Sequence, residues 1–262
     1  MDLDLIKRTA VAAAYRGAEV LRSYFGKSPT VKKKSVIDLV TEADTASEEA
    51  IVKTIRSRFP DHAVLAEESG ASGKHSEYQW IIDPLDGTTN FAHQLPIYAV
   101  SIGFSFGGRI VAGVVLNPAS GELFTATAEE SARLNGKPIR VSSVESVEDS
   151  LLVTGFPYNV RELLPEITRR MQNCLRLAQG VRRLGSAALD LCYVACGRFE
   201  GFWEQYLNPW DTAAGTCIAE AAGAVVTDFS SRPYSIGAEE ILATNGRIHA
   251  QMIAMLELKD VE

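Results

Sequence analysis
The string Trp80-Ile81-Ile82-Asp83-Pro84-Leu85-Asp86-Gly87-Thr88-Thr89-Asn90-Phe91 constrains this chain more than any other stretch. An apolar strand ends in two aspartates three residues apart, and a proline fixes the backbone between them. Gly87 then permits a positive φ or the close approach of a ligand. A helical turn opening at Gly87-Thr88 presents unbonded N–H groups, which form an anion site. Hard oxygen donors beside an anion site suit Mg²⁺ and phosphate. Three more acidic strings accompany it: Asp38-Leu39-Val40-Thr41-Glu42-Ala43-Asp44, Glu67-Glu68, and Trp210-Asp211-Thr212-Ala213-Ala214-Gly215. Taken singly, each has an ordinary explanation. Asp44 can cap a helix, the glutamate pair can face water, and Asp211 can complement a helix dipole.

Hydrophobic periodicity supplies the frame. Leu3, Ile6, Ala10, Ala13, Gly17, Val20, Leu21 and Tyr24 form one stripe, so residues 3–24 are expected as a helix. A second helix is expected from Asp44–Thr45, because Thr45-Ala46-Ser47-Glu48 fits a capping box. Strands follow at 63–66, 79–82, 100–106, 110–116 and 122–127, with Gly107-Gly108 as a hairpin signal. The second half alternates helices (161–178, 186–196, 211–222, 246–257) with short strands (151–154, 199–203, 224–227, 241–243). The expected class is therefore α+β, a mixed α/β layered fold. Its boundary lies in the Ser/Glu-rich stretch 142–150. Residues 1–145 would carry helices, an antiparallel sheet and most of the acidic strings. Residues 146–262 would carry an α/β layer with Asp211.

Charge narrows the function classes. The chain has 262 residues and a net charge of −7, so it lacks the positive field that drives binding to nucleic acid or anionic membranes. No apolar run approaches the length of a membrane span, and Met1-Asp2-Leu3-Asp4 opens no signal peptide. The four cysteines form no CxxC pair and read as reduced thiols, which fits a cytoplasmic protein. The four histidines are scattered, with no metal-ligand spacing among them.

Together the acidic strings resemble those of the inositol monophosphatase family of Mg²⁺-dependent phosphatases. Residues 80–91 meet the family pattern W-x-I-D-P-x-D-G-T-x-N-F at every fixed position. Residues 210–215 meet W-D-x-A-A-G, and Glu220-Ala221-Ala222-Gly223 follows. Ala66 and Ala222 stand where many members have glycine, and neither is a ligand position. The resemblance implies an αβαβα five-layer sandwich, two or three Mg²⁺ ions, inhibition by Li⁺ and a homodimer. The substrate would be myo-inositol 1-phosphate or a similar polyol phosphate. Histidinol phosphate, fructose 1,6-bisphosphate and nucleotide 3′-phosphates are the alternatives on the same scaffold. A non-enzymatic alternative is a protein that contacts transcription factors, because some bacterial relatives act in transcription complexes.

Residue roles follow from the same resemblance. Glu67, Asp83 and the Leu85 carbonyl would hold one Mg²⁺, and Asp83, Asp86 and Asp211 a second. Thr88, Asp44 and Glu67 would activate the attacking water. Gly87 and Thr88 would hold phosphate oxygens. Gly185-Ser186-Ala187 matches the family's substrate loop, Glu204 its ring-hydroxyl acceptor, and Asp86 and Asp211 also face the substrate. Lys33 aligns with a family lysine near the water network. The electrostatics agree with a metal requirement. At about 4 Å and an effective dielectric near 20, each like-charge pair costs roughly 4 kcal/mol, so four carboxylates repel a phosphate monoester unless cations intervene.

Overall fold
A computed structural model describes residues 1–27, 31–33, 39–73 and 76–258, with the backbone alone at 31–33 and 39–41. The first half runs α1 (Leu3–Tyr24), β1 (Val31–Lys33), β2 (Leu39–Thr41), α2 (Glu42–Arg56), β3 (Ala63–Ala66), β4 (Gly70–Ser72), β5 (Tyr78–Asp86), α3 (Thr88–Ala92), β6 (Ala99–Phe106), β7 (Arg109–Asn117), β8 (Glu122–Thr127), β9 (Glu130–Leu134) and β10 (Lys137–Pro138). After a 3-10 turn at Val147–Asp149 come β11 (Leu151–Thr154), α4 (Leu164–Leu177), β12 (Gly180–Arg182), α5 (Ala187–Ala195), β13 (Gly201–Gln205), α6 (Pro209–Ala221), β14 (Val225–Thr227), β15 (Glu240–Thr244) and α7 (His249–Leu256).

Among the described residues the strands form a β1–β2 pair and two larger sheets. The eight-stranded sheet has the order β10-β9-β8-β7-β6-β5-β3-β4 and is antiparallel except between β3 and β5. The five-stranded sheet has the order β12-β11-β13-β15-β14, with β11 parallel to β12 and β13. Helices α1 and α2 cover the outer face of the large sheet, and α5 and α6 lie between the sheets. Helices α4 and α7 cover the far face of the small sheet. This is the five-layer αβαβα order expected from the sequence.

The α1 stripe is buried through Leu3, Ile6, Ala10, Ala13, Gly17 and Leu21, and Asp2 caps the helix by accepting from Leu5 N at 2.9 Å. The four helices expected in the second half appear as α4 to α7, each end within three residues. All four cysteines are free thiols. Among the described residues no helix is long and apolar enough to cross a membrane.

Two expectations need correction. The second helix starts at Glu42, so Thr45 is inside it and is not its cap. Thr45 is exposed on that helix, and Glu48 is buried and turns away from the helix start to accept from Glu68 N and Ser69 N. The strand expected at 199–203 runs from Gly201 to Gln205. That shift puts Glu204 within β13 and buries it to 7 % exposure.

One packing detail sets the place of Asp211. Gly103 of β6 and Gly113 of β7 are partners in register. A Cβ on Gly113 would lie 2.5 Å from the Ala214 carbonyl oxygen, and one on Gly103 2.8 Å from the Ala213 Cβ. The paired glycines form a notch into which the first turns of α6 settle. Gly113→Ala is expected to overpack this seam at a cost of about 1–3 kcal/mol. Thermal unfolding would then begin several degrees lower, and an unchanged melting temperature would disprove the notch.

Candidate active site
The site grows from the end of β5. Its ladder with β6 runs in register to Asp83↔Ser101, breaks, and resumes at Asp86↔Ala99. Pro84 has no N–H to give the ladder, so the chain bulges between the two acids. Both aspartates are buried, Asp83 to 2 % and Asp86 to 9 % exposure. Leu85 N donates to Asp83 Oδ1 at 2.9 Å, and Ser47 Oγ of α2 donates to the Pro84 carbonyl at 3.0 Å.

Gly87 follows with φ +96° and caps α3. A Cβ there would come within 2.9 Å of the Ile97 oxygen and 3.2 Å of the Gly185 oxygen, so both conformation and space require glycine. Thr88 then opens α3. Its Oγ1 stands 3.1 Å from Asp44 Oδ1 and 3.1 Å from the Leu85 carbonyl, and its single proton serves one of them at a time. Asp44 itself is fully buried on α2.

The loop Gly185-Ser186-Ala187 reaches Asp86 from the other half of the chain. Ser186 Oγ donates to Asp86 Oδ2 at 2.6 Å, and Ala188 N donates to the same oxygen at 2.8 Å. The Ser186 hydroxyl proton is therefore committed to a carboxylate. Asn90 Nδ2 donates to the carbonyls of Ile97 at 2.8 Å and Leu184 at 2.7 Å, tying α3 to that loop. Glu67 follows β3, and its N–H extends the parallel pairing by donating to Ile82 O at 3.1 Å. Asp211 stands in the first turn of α6, where its Oδ2 accepts from Asn208 N at 2.6 Å.

Electrostatics bind these acids into one group. Burial pushes the Asp83 carboxyl well above the ordinary range, and Glu67, Asp86 and Asp211 push it further. Burial raises Asp211 too, followed by the charge of Asp86. Asp86 is raised to about 6 by burial, against the opposing bonds from Ser186 and the α5 amides. Glu204 is raised to about 8 by burial, although Arg183 opposes the shift. Among the described residues, no three His, Cys, Asp or Glu side chains are drawn into a closed metal cage. The donor set is still all hard oxygen, mutually repelling and short of positive charge, which is the chemistry that a hard divalent cation satisfies.

A cavity of about 280 Å³ opens over this group. Asp86, Gly87, Thr88, Gly185, Ala187, Glu204 and Asp211 line it, together with Phe156, Tyr158, Arg183 and Tyr206. Asp44, Asp83, Leu85 and Ser186 stand behind that lining through the bonds above. Lys33 lies on β1, and its side chain is outside the described residues.

Sequence reasoning missed three supporting residues and one unusual one. Glu48, 5 % exposed, accepts from Glu68 N at 2.8 Å and Ser69 N at 3.0 Å, and so holds the turn that carries Glu67. Asn90 closes the loop described above. Gly155 faces Glu204 so closely that a Cβ would fall 2.0 Å from Glu204 Oε2. Asp190 of α5 is 1 % exposed, and neither carboxyl oxygen has a hydrogen-bond partner. Burial raises its pKa, followed by the charges of Glu204 and Asp86. The string Thr45-Ala46-Ser47-Glu48 drew attention to Glu48, with the wrong role.

The layer order and the acidic cavity define a phosphatase-type fold, and the comparisons with known proteins agree. Residues 2–259 match the inositol monophosphatase family, and the chain belongs to that family. It is 47 % identical over 249 residues to an inositol-1-monophosphatase of Synechocystis sp., covering 94 % of this chain and 86 % of that protein. It is 40 % identical over 256 residues to the Nus factor SuhB of Escherichia coli, covering 96 % of each. Among solved structures, an inositol monophosphatase from Anabaena superposes with a TM-score of 0.89 at 44 % identity, covering 98 % of this chain and 96 % of that one.

Proposed function
We propose that this chain is a Mg²⁺-dependent phosphomonoesterase that converts myo-inositol 1-phosphate, or a similar polyol phosphate, to the alcohol and inorganic phosphate. The observation that carries this reading is the Thr88–Asp44 hydrogen bond at the edge of a cavity ringed by mutually repelling carboxylates. Glu67, Asp83, the Leu85 carbonyl, Asp86 and Asp211 would hold two or three Mg²⁺ ions. Bound there, Mg²⁺ would supply the positive charge that offsets a phosphate ester and lowers the pKa of the attacking water.

The chain's own residues do the rest. Thr88 Oγ1 accepts from the attacking water and donates to Asp44, whose buried carboxylate fixes the direction of proton movement. Glu67 is the second acceptor for that proton. The N–H groups opening α3 hold phosphate oxygens. Glu204 faces the alcohol, and as a carboxyl raised to about 8 it can donate as well as accept at neutral pH. Gly155→Ala would push that carboxyl out of place. It is expected to raise KM for inositol 1-phosphate about tenfold, as one lost buried hydrogen bond does. Glycerol 2-phosphate is the comparison in the same assay, and equal loss on both esters would remove Glu204 from substrate recognition.

The decisive experiment is phosphate release from inositol 1-phosphate, histidinol phosphate, fructose 1,6-bisphosphate and adenosine 3′,5′-bisphosphate. It is run across Mg²⁺ concentrations, with and without Li⁺. Mg²⁺-dependent turnover led by inositol 1-phosphate and blocked by Li⁺ supports the whole reading. Turnover led by another ester keeps the chemistry and discards the polyol, and no turnover of any ester overturns the enzyme. A homodimer goes with the same reading and is checked by light scattering. The relatives named Nus factor SuhB favour a second role, contact with transcription factors, which a pull-down with RNA polymerase tests.

A further inference from the structure
The rim of the cavity differs in chemistry from its floor. The floor is acidic, whereas the rim carries Phe156, Tyr158 and Tyr206 beside Arg183. Tyr158 is 56 % exposed and Tyr206 41 % exposed, so two tyrosine rings face solvent at one cavity mouth. Exposed aromatic rings gathered at a concave site mark a binding surface.

Tyr206 is unusual in its backbone. Its φ is +58°, the left-handed region that favours glycine, and it follows directly on β13, which carries Glu204. Its N–H donates to Glu239 O at 2.7 Å, which holds the kink in place. A glycine would hold that turn with less strain, so the ring is kept at a conformational cost. In the same lining, the Arg183 guanidinium lies 5.7 Å from the centroid of the Phe156 ring. A guanidinium over a ring makes a flat, weakly hydrated surface on which a second planar group can stack.

We propose that Tyr206 and Tyr158, with the Phe156–Arg183 pair, form a second subsite that binds a planar aromatic ring in the alcohol part of the substrate. This rests on the phosphomonoesterase reading and deepens it, favouring phosphate esters whose alcohol part carries a flat ring. The acidic floor takes the phosphate with its metal ions. The aromatic rim takes the ring, and stacking contributes without any fixed hydrogen-bond pattern.

The test compares 2-phenylethyl phosphate with ethyl phosphate, which differ only by the ring, on the Mg²⁺-loaded protein. The wild type is expected to have a kcat/KM about tenfold higher for the ring-bearing ester, carried by KM. Tyr206→Gly suits the left-handed backbone and should fold, and Tyr158→Ala removes the second exposed ring. Each is expected to pull the ratio of the two kcat/KM values toward one. A purely structural effect would instead lower both esters alike through kcat. Equal specificity constants in the wild type, or a ratio that survives both substitutions, overturns the subsite. Inositol 1-phosphate runs alongside. Its turnover without ring preference means that only the subsite fails, whereas no phosphate from any of the three esters overturns the phosphatase reading and the subsite together.

Discussion

Asp83→Asn is expected to abolish phosphate release while making the metal-free protein more stable. Asp83 is almost fully buried, and Glu67, Asp86 and Asp211 all repel its charge. Asparagine keeps the oxygen that accepts from Leu85 N and removes the charge. In EDTA at pH 8 the variant should melt on the order of 5 °C above wild type, since 1 kcal/mol moves a chain of this size by a few degrees. Catalysis goes the other way. A carboxylate that would hold Mg²⁺ in the proposed site is lost, and kcat should fall by about 10³-fold or more. Saturating Mg²⁺ should reverse the order of stability, because an ion that binds only the folded wild type stabilises it by mass action. A variant that melts below wild type without metal, or that retains turnover, would show that Asp83 is an ordinary structural acid.

The second large effect is the pH dependence of the metal-free protein. A carboxyl whose folded pKa is raised holds its proton more tightly when folded. Its contribution to stability is fully present below the unfolded pKa and disappears as pH rises through the folded one. Asp86 rises to about 6 and Glu204 to about 8, both through burial first. Asp83, Asp190 and Asp211 shift in the same direction. Glu122, held low by Arg198, acts in the opposite sense. Asp86 alone accounts for about 2 kcal/mol between pH 4 and pH 8. Thermal melts in EDTA at constant ionic strength should therefore fall steadily from pH 5 to pH 9, opposite to the usual acid unfolding. A flat or rising profile would contradict the buried acidic cluster, and excess Mg²⁺ should remove the slope.

Much of this site was legible because its central residues are neighbours in sequence. The run from Trp80 to Phe91 encodes a strand, a bulge at Pro84, a left-handed glycine and a helix start, and each is a local property. The mixed α/β class was legible from periodicity for the same reason, and the five-layer order from the resemblance that the acidic strings carry. What stayed hidden depends on distant pairings. Glu48 meets the amides of Glu68 and Ser69 across a strand, Asn90 meets Leu184 across the fold, and Gly155 matters only because Glu204 lies against it. No local pattern marks such contacts. The edge strands β4, β10 and β12, and β9 beside β10, were missed because they are short and carry many polar or small residues. Glu204 was placed past a strand end because strand limits are set by pairing partners, here β11 and β15.

The donors to Asp86 arrive late. Ser186 is 100 residues further along the chain and Ala188 is 102. At the roughly 5–20 residues per second of synthesis, Asp86 waits about 5 to 20 seconds on the ribosome before the groups that hold it emerge. Asp211 comes later still. A nascent chain halted between β10 and α6 holds every strand of the large sheet, with α1 and α2 to pack on it, while the acidic cluster still lacks Asp211. The repulsion that Asp211 adds to the finished site is thus postponed until almost the whole molecule is available to contain it.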